Sequence, residues 1–183
     1  MRQELLQEKV KVPDNVQLVL DGSTVKVVGP KGSNHRDLFY PFISLNMEDN
    51  KTLTLSAKNA TRKHKRIINT FRSHINNLIT GVIEGYEHKL KVCYVHFPMT
   101  VTASSTEVTV KNFLGAKLPL ISKILPQVKV VVSGDVITVN GIDKESVGQT
   151  AANIEKSTVL TNRRDRRKFQ DGCYITSKSG KPI

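Results

Sequence analysis

Val25-Lys26-Val27 running to Gly32, and Val108-Thr109-Val110 running to Gly115, are one short pattern written twice, 83 residues apart. The match continues on both sides. Val12-Pro13-Asp14-Asn15-Val16 reads against Phe97-Pro98-Met99-Thr100-Val101 at an offset of 85, and Leu53-Thr54-Leu55 reads against Ile137-Thr138-Val139 at an offset of 84. Short β patterns recur by chance, so any single match is worthless. The same order at near-constant spacing argues for a duplicated module. Each copy begins with short alternating stretches: Val16, Leu18, Leu20 and Val25, Val27 in the first, then Val108, Val110, Val128, Val130, Val132, Ile137 and Val139 in the second. Asp21-Gly22-Ser23 and Ser133-Gly134-Asp135 supply turns between them, so these stretches read as hairpins.

A helix closes each copy. Ile67, Ile68, Phe71, Ile75, Leu78, Ile79 and Val82 fall at three- and four-residue spacing, one apolar face, with Gly81 or Gly85 to end it. In the second copy Asp143 suits an N-cap, and Val147, Ala151 and Ile154 form a narrower stripe that allows close approach to a sheet. Runs of strands followed by one helix are the α+β signature. The expected architecture is two tandem homologous modules, each a small antiparallel sheet packed against one helix: 1–85, 86–160, and a basic C-terminal tail over 161–183.

The charge is unevenly spread. In 183 residues there are 28 Lys and Arg against 16 Asp and Glu, a formal net of +12. Residues 58–74 hold six basic and no acidic groups, net +6, and residues 157–183 hold seven basic and two acidic, net +5. Clustered charge of this kind points to a polyanionic partner, whereas uniform charge would point to solubility.

The first cluster, Arg62, Lys63, Lys65 and Arg66, stands at the start of a helix, where the macrodipole disfavours each cation by about 0.3 to 1 kcal/mol. Either the cluster is a solvated helix end offset by the apolar face behind it, or phosphates relieve the repulsion, joined by Arg72 along the helix. In the second cluster Arg163, Arg164, Arg166, Arg167 and Lys168 place five cations in six residues. The guanidinium fork binds phosphate bidentately and stacks on bases, which favours nucleic acid. Phe169 and Tyr174 either anchor this tail to the second module or stack on bases.

Catalytic chemistry is missing. Gly29-Pro30-Lys31-Gly32 lacks P-loop spacing and reads as a loop tip with Lys31 free to touch phosphate; no G-x-G-x-x-G, G-x-S-x-G or H-E-x-x-H occurs. His35, His64, His74, His88 and His96 are scattered without metal-ligand spacing, so no catalytic residue, metal or cofactor is expected. Cys93 and Cys173, far apart and outside any C-x-x-C pair, read as small core-like thiols. Asn59-Ala60-Thr61 reads as a helix start. No apolar run approaches the ~18 residues of a membrane span, and the N-terminus is polar and mixed in charge, so a soluble, non-secreted protein without membrane or small-molecule partners is expected.

Val110-Lys111-Asn112-Phe113-Leu114-Gly115, Gly141-Ile142-Asp143-Lys144 with Val147-Gly148-Gln149 and Ala151-Ala152-Asn153-Ile154, and Arg167-Lys168-Phe169-Gln170-Asp171-Gly172-Cys173-Tyr174 resemble the large-subunit ribosomal protein six family, known in eukaryotes as large-subunit protein nine. The likeness extends to Val27-Val28-Gly29-Pro30-Lys31-Gly32 and to Tyr94-Val95-His96-Phe97-Pro98, and the tail resembles the archaeal and eukaryotic branch. This chain departs from relatives in following Lys117 with Leu118-Pro119-Leu120-Ile121 instead of a basic run, and in having no Trp ahead of the first helix.

The resemblance implies a non-enzymatic structural constituent of the large ribosomal subunit. Such a protein would bind large-subunit ribosomal RNA near the sarcin-ricin loop and the base of the factor-binding region, with neighbouring ribosomal proteins as partners. It would reside on cytoplasmic ribosomes, with subunits pre-assembled in the nucleolus if the source is eukaryotic. Carried over, it makes Lys111, Asn112, Arg163, Arg164, Arg166, Arg167, Lys168 and Tyr174 RNA-facing, with Lys178 in the same tail. Lys31, Arg62, Lys63, Lys65, Arg66 and Arg72 form a secondary RNA or partner contact. The rival readings are a free-standing RNA-binding protein outside the ribosome and an RNA-processing enzyme.

Overall fold

The computed structural model of the chain describes residues 3–48, 52–160, 165 and 167–183. Two compact units divide between Gly85 and Tyr86. The first runs β1 (Gln3–Lys11), β2 (Gln17–Asp21), β3 (Thr24–Gly29), β4 (Gly32–Asp37), β5 (Ser44–Glu48), β6 (Thr52–Ala60) and α1 (Arg62–Ile83). Its strands form two antiparallel three-stranded sheets, ordered β1-β6-β5 and β2-β3-β4.

The alternation read in the sequence sets which face turns inward. Leu18, Val25, Val27, Leu53 and Leu55 are buried, and α1, whose Ile68, Ile75 and Val82 are buried too, packs against β3 and β6. Each such side chain contributes about 1.5 to 3 kcal/mol on burial. Thr61 caps α1, its hydroxyl accepting from the His64 amide at 3.4 Å while the Thr61 amide donates to His64 Nδ1 at 3.4 Å. Of Asn59-Ala60-Thr61, Thr61 is thus the helix start, while Asn59 and Ala60 end β6. A Cβ on Gly29 would lie 2.7 Å from Val82 Cγ2, so only glycine lets the β3–β4 turn seat itself on the C-terminal end of α1.

The second unit comprises β7 (Tyr86–Cys93), β8 (Thr100–Ala103), β9 (Glu107–Lys111), a 3-10 turn (Phe113–Gly115), β10 (Leu120–Lys123), β11 (Val128–Ser133), β12 (Val136–Gly141), α2 (Lys144–Ser157), β13 (Gly172–Lys178) and β14 (Lys181–Pro182). Its sheets are ordered β10-β9-β8 and β11-β12-β7-β13-β14. Asp143 caps α2, accepting from the Glu145 and Ser146 amides at 3.4 and 3.0 Å. Val147, Ala151 and Ile154 pack with Leu90, Val108, Ile137 and Val139 into one buried core.

The chain is thus α+β with two tandem modules, and the duplication is visible strand for strand. The arrangement β11-β12-β7 repeats β5-β6-β1, and β10-β9-β8 repeats β4-β3-β2. The second copy carries two further strands. Residues 172–178, grouped with the tail on charge alone, are a strand of the five-stranded sheet: β13 pairs with the edge of β7 that corresponds to the open edge of β1. Covering that edge satisfies backbone groups that would otherwise face solvent.

Pairing also separates the two thiols. Cys173 lies opposite Val92 and faces the core, while Cys93 lies opposite Gly172 on the other face, and the sheet stands between them. Burial pushes the Cys173 thiol up to about 11, so its reactive thiolate is scarce. Cys93 is half-buried and lines a cavity of about 770 Å³ with Tyr94 and Tyr174. Thiol labelling of the native protein at pH 8 should modify Cys93, whereas Cys173 should react only after denaturation; equal labelling of both would contradict this arrangement.

Candidate nucleic-acid interface

Three stretches distant in sequence meet on the β7–β8 connection. The Asn112 side-chain amide donates to the Pro98 carbonyl at 2.9 Å. Asn112, Leu114 and Gly115 all have positive φ, a tight turn that Gly115 completes with the Phe97 ring 3.7 Å from where a Cβ would be. From the other side comes Asp171, whose residue is 1 % exposed. Its carboxylate accepts from the Val95 amide, from the His96 amide at 3.4 Å and from His96 Nδ1 at 2.8 Å. The Phe169 ring lies against His96 with centroids 4.7 Å apart. Burial pushes the Asp171 carboxyl up, but the Val95 and His96 hydrogen bonds outweigh it and hold the group below its ordinary value.

Near this junction two of the cationic side chains stand on described backbone: Lys111 ends β9 and is exposed, as is Lys168. Lys178 is also exposed but lies at the far end of β13, opposite His88. Arg167 is exposed and forked onto Asp165, with Nε to Oδ1 at 3.1 Å and Nη2 to Oδ2 at 2.9 Å, which lowers the Asp165 pKa and raises that of Arg167. Asp165 also shapes the backbone, its carbonyl accepting from the Lys168 and Phe169 amides at 3.0 and 2.9 Å. Tyr174 donates its hydroxyl to the Asp171 carbonyl at 3.3 Å, and its ring covers Gly172. Of the two readings of Phe169 and Tyr174, these contacts are anchoring ones. Arg163, Arg164 and Arg166 lie outside the described residues.

In the first unit the expected contacts divide. Arg62, Lys63, Lys65 and Arg66 are all exposed at the start of α1, and no acidic residue stands in its first turn. Arg72, farther along α1, is half-exposed and has its Nη1 3.3 Å from Glu8 Oε2 on β1. Lys31 is not a free loop tip. Its amide donates to the Val82 carbonyl at 3.0 Å and its ammonium to the Glu84 carbonyl, satisfying the C-terminal end of α1, where a cation is favoured. The contact spans more than fifty residues of sequence, which no local pattern discloses.

Asn112 likewise serves the turn instead of standing free. Sequence reasoning missed Asp171 and His96 as the pair that joins the tail to the second unit. Asp171 is a lone carboxylate inside the basic 157–183 stretch and His96 lies outside both clusters, neither in a metal-ligand spacing, and the one available signal was their place in stretches carrying the family resemblance.

His88 is a second buried titratable group. It sits on the inner face of β7, 5 % exposed, and its Nδ1 has no hydrogen-bond partner among the described residues. A register shift between Ile175 and Ser177 brings Lys178 opposite it. Burial, then the charges of Lys178 and Lys144, lower its pKa. The unfolded chain takes up this proton near pH 6.5, so His88 favours the fold above that pH and ceases to do so as pH falls through the depressed folded value. Thermal unfolding between pH 7.5 and 5.5 should therefore show a loss of stability that His88→Leu reduces; an identical slope in the variant would exclude His88 as its source.

No group of three or more His, Cys, Asp or Glu side chains among the described residues could hold a metal, and no helix there is long and apolar enough to cross a membrane. Residues 12–85 and 97–172 each match the family model described as ribosomal protein L6. The chain is 46 % identical over 183 aligned positions to large ribosomal subunit protein uL6 of Archaeoglobus fulgidus, covering 96 % of this chain and 91 % of that protein. It is 40 % identical over 173 positions to large ribosomal subunit protein uL6 of Methanobrevibacter smithii, covering 94 % of this chain and 96 % of that protein.

Proposed function

Because the chain belongs to the ribosomal protein L6 family, on its archaeal and eukaryotic branch, we propose that it is a structural, non-enzymatic constituent of the large ribosomal subunit. It works on cytoplasmic ribosomes, bound to ribosomal RNA and to neighbouring ribosomal proteins. The observation that carries this reading is the likeness of nearly the whole chain to proteins named as large-subunit components, with both units matched.

The finer assignment is to RNA near the sarcin-ricin loop and the base of the factor-binding region, through the second unit. Lys111, Lys168, Lys178 and the arginines Arg163, Arg164, Arg166 and Arg167 neutralise phosphates there. Asn112 and Tyr174 hold the backbone that presents them. Arg62, Lys63, Lys65 and Arg66 make a secondary contact from the first unit. Supporting this is the junction of residues 95–98 with Asn112, Phe169 and Asp171, which holds the backbone next to Lys111 and Lys168. Recognition then reads RNA shape and 2′-hydroxyls more than base sequence.

Titration of the protein with a sarcin-ricin RNA fragment at increasing salt tests the assignment. Each phosphate contact contributes about 0.7 to 0.9 to the slope of log affinity against log salt, so a steep slope is expected. In cell extract the protein should sediment with large subunits through moderate salt. A flat salt response, or a free pool that turns over small RNAs, would overturn the reading in favour of another RNA-binding or processing role.

A further inference from the structure

The first unit displays an aromatic surface that its own packing does not explain. Phe39 and Phe42, in the Phe39-Tyr40-Pro41-Phe42 loop between β4 and β5, are 73 % and 78 % exposed. The neighbours that hold the loop are inward: Leu38 is buried, and its amide donates to the Ser23 carbonyl at 2.9 Å. The Ile43 amide donates to the Tyr40 carbonyl at 3.2 Å, closing a four-residue turn with Pro41 second and Phe42 third. Phe42 has φ of +75°, in the region such turns reserve for glycine or asparagine at the third position. A bulky side chain there is strained, and the strain keeps an aromatic ring in solvent where glycine would relieve it.

The Tyr40 and Phe42 rings stand beside the basic start of α1, with Phe39 next to Tyr40 in the same loop. His64 lies 6.0 Å from both Phe42, in stacked orientation, and Tyr40, edge-on. Lys63 Nζ is 5.9 Å from the centroid of the Tyr40 ring. Lys63 is flanked by exposed Arg62, Lys65 and Arg66, and residues 58–74 contain no carboxylate. Exposed aromatic faces next to clustered cations are the pairing that unpaired nucleotides require: a π-face for the base and positive charge for the phosphates on either side. A duplex would offer no free base face to the rings.

We infer that Phe39 and Phe42, with the cations Arg62, Lys63, Lys65 and Arg66, form a binding site for unpaired RNA nucleotides on the first unit, separate from the contacts assigned to the second. The inference rests on the RNA-binding reading above and adds to it the substrate class and the stacking residues. Charge complementarity favours RNA over a protein as the occupant.

The test uses the full chain carrying Arg163→Gln, Arg164→Gln, Arg166→Gln and Arg167→Gln, so that the tail does not mask binding elsewhere. A labelled ten-nucleotide unstructured RNA is the probe. This parent should bind it, and Phe39→Ala or Phe42→Ala should weaken binding about tenfold each without changing the salt slope. Lys63→Gln and Lys65→Gln should each reduce that slope by about 0.7. Phe→Leu at either position should behave as Ala, and Phe→Tyr should restore binding. Phe42→Gly should unfold at no lower a temperature than its parent and still bind weakly.

Unchanged RNA affinity in the Ala variants, Leu serving as well as Phe, or loss of fold in Phe42→Gly would each overturn the inference. The second of these would indicate a protein-docking surface. Failure of the parent to bind the probe, while the unsubstituted chain binds the sarcin-ricin fragment, would overturn this inference alone; failure of both would overturn the wider RNA reading as well.

Discussion

Converting Arg163, Arg164, Arg166 and Arg167 to Gln together should leave the protein folded and nearly abolish its incorporation into large subunits. Four lost phosphate contacts would lower the slope of log affinity against log salt by about 3, and at physiological salt that corresponds to at least a hundredfold weaker binding to the RNA fragment. Arg167 should contribute least of the four. It is already forked onto Asp165, and part of its charge must be redirected before it can meet a phosphate. The fold should survive because the neighbouring structure is held by Asp171, Cys173 and Tyr174, none of which the substitution touches. Circular dichroism of the variant checks the fold and sucrose-gradient sedimentation checks assembly. Normal incorporation of the quadruple variant would remove the assigned role of the arginine run.

The second large effect is expected at Asp171 and has the opposite character. Asp171→Ala makes the chain more positive, which by charge alone should strengthen RNA binding. Instead it should destabilise the second unit by roughly 2 to 4 kcal/mol, because the Val95 and His96 amides and the His96 ring together lose their buried acceptor. For a unit of this size that lowers the unfolding temperature by about 10 to 20 °C. RNA affinity should fall as well, since the backbone that carries Lys168 loses its tie to residues 95 and 96.

The contribution of Asp171 also has a pH signature. Its pKa is depressed by folding, so its stabilisation is present above the ordinary carboxyl value near 3.9 and is lost as pH falls through the folded value. Scanning calorimetry from pH 7 to 3 on both proteins separates this acid window from that of His88. A variant as stable as its parent, with undiminished RNA binding, would show that the junction does not matter.

How far the sequence discloses this molecule follows from the range of the interactions involved. The apolar face of α1 and the hairpins of β2–β3 and β11–β12 are local patterns, and duplication fixes their order in both units. β7 is equally regular, with Tyr86, His88, Leu90 and Val92 alternating with charged residues, but the strand is hidden because His88 reads as a polar histidine. β1 and β13 are less legible, since Gln3–Lys11 and Gly172–Lys178 are mostly polar or exposed and become strands through partners distant in sequence.

The same limit governs the site. Basic clusters are visible as composition, whereas the pairing of Lys31 with the end of α1, of Arg72 with Glu8 and of Arg167 with Asp165 shows which cations already have a partner within the chain. For Arg167 the acidic neighbour was in plain view two positions away. For Lys31 and Arg72 only the folded chain brings donor and acceptor together.

The annealing of β13 onto β7 fixes an interval. The ladder runs from Gly172 opposite Cys93 to Lys178 opposite His88, so the Lys178 ammonium is carried on paired backbone. At about 3.3 Å of rise per residue, six steps set it roughly 20 Å along the strand from Gly172. A charge so placed is a fixed rung, and a polyanion that cannot match its spacing gains nothing from it.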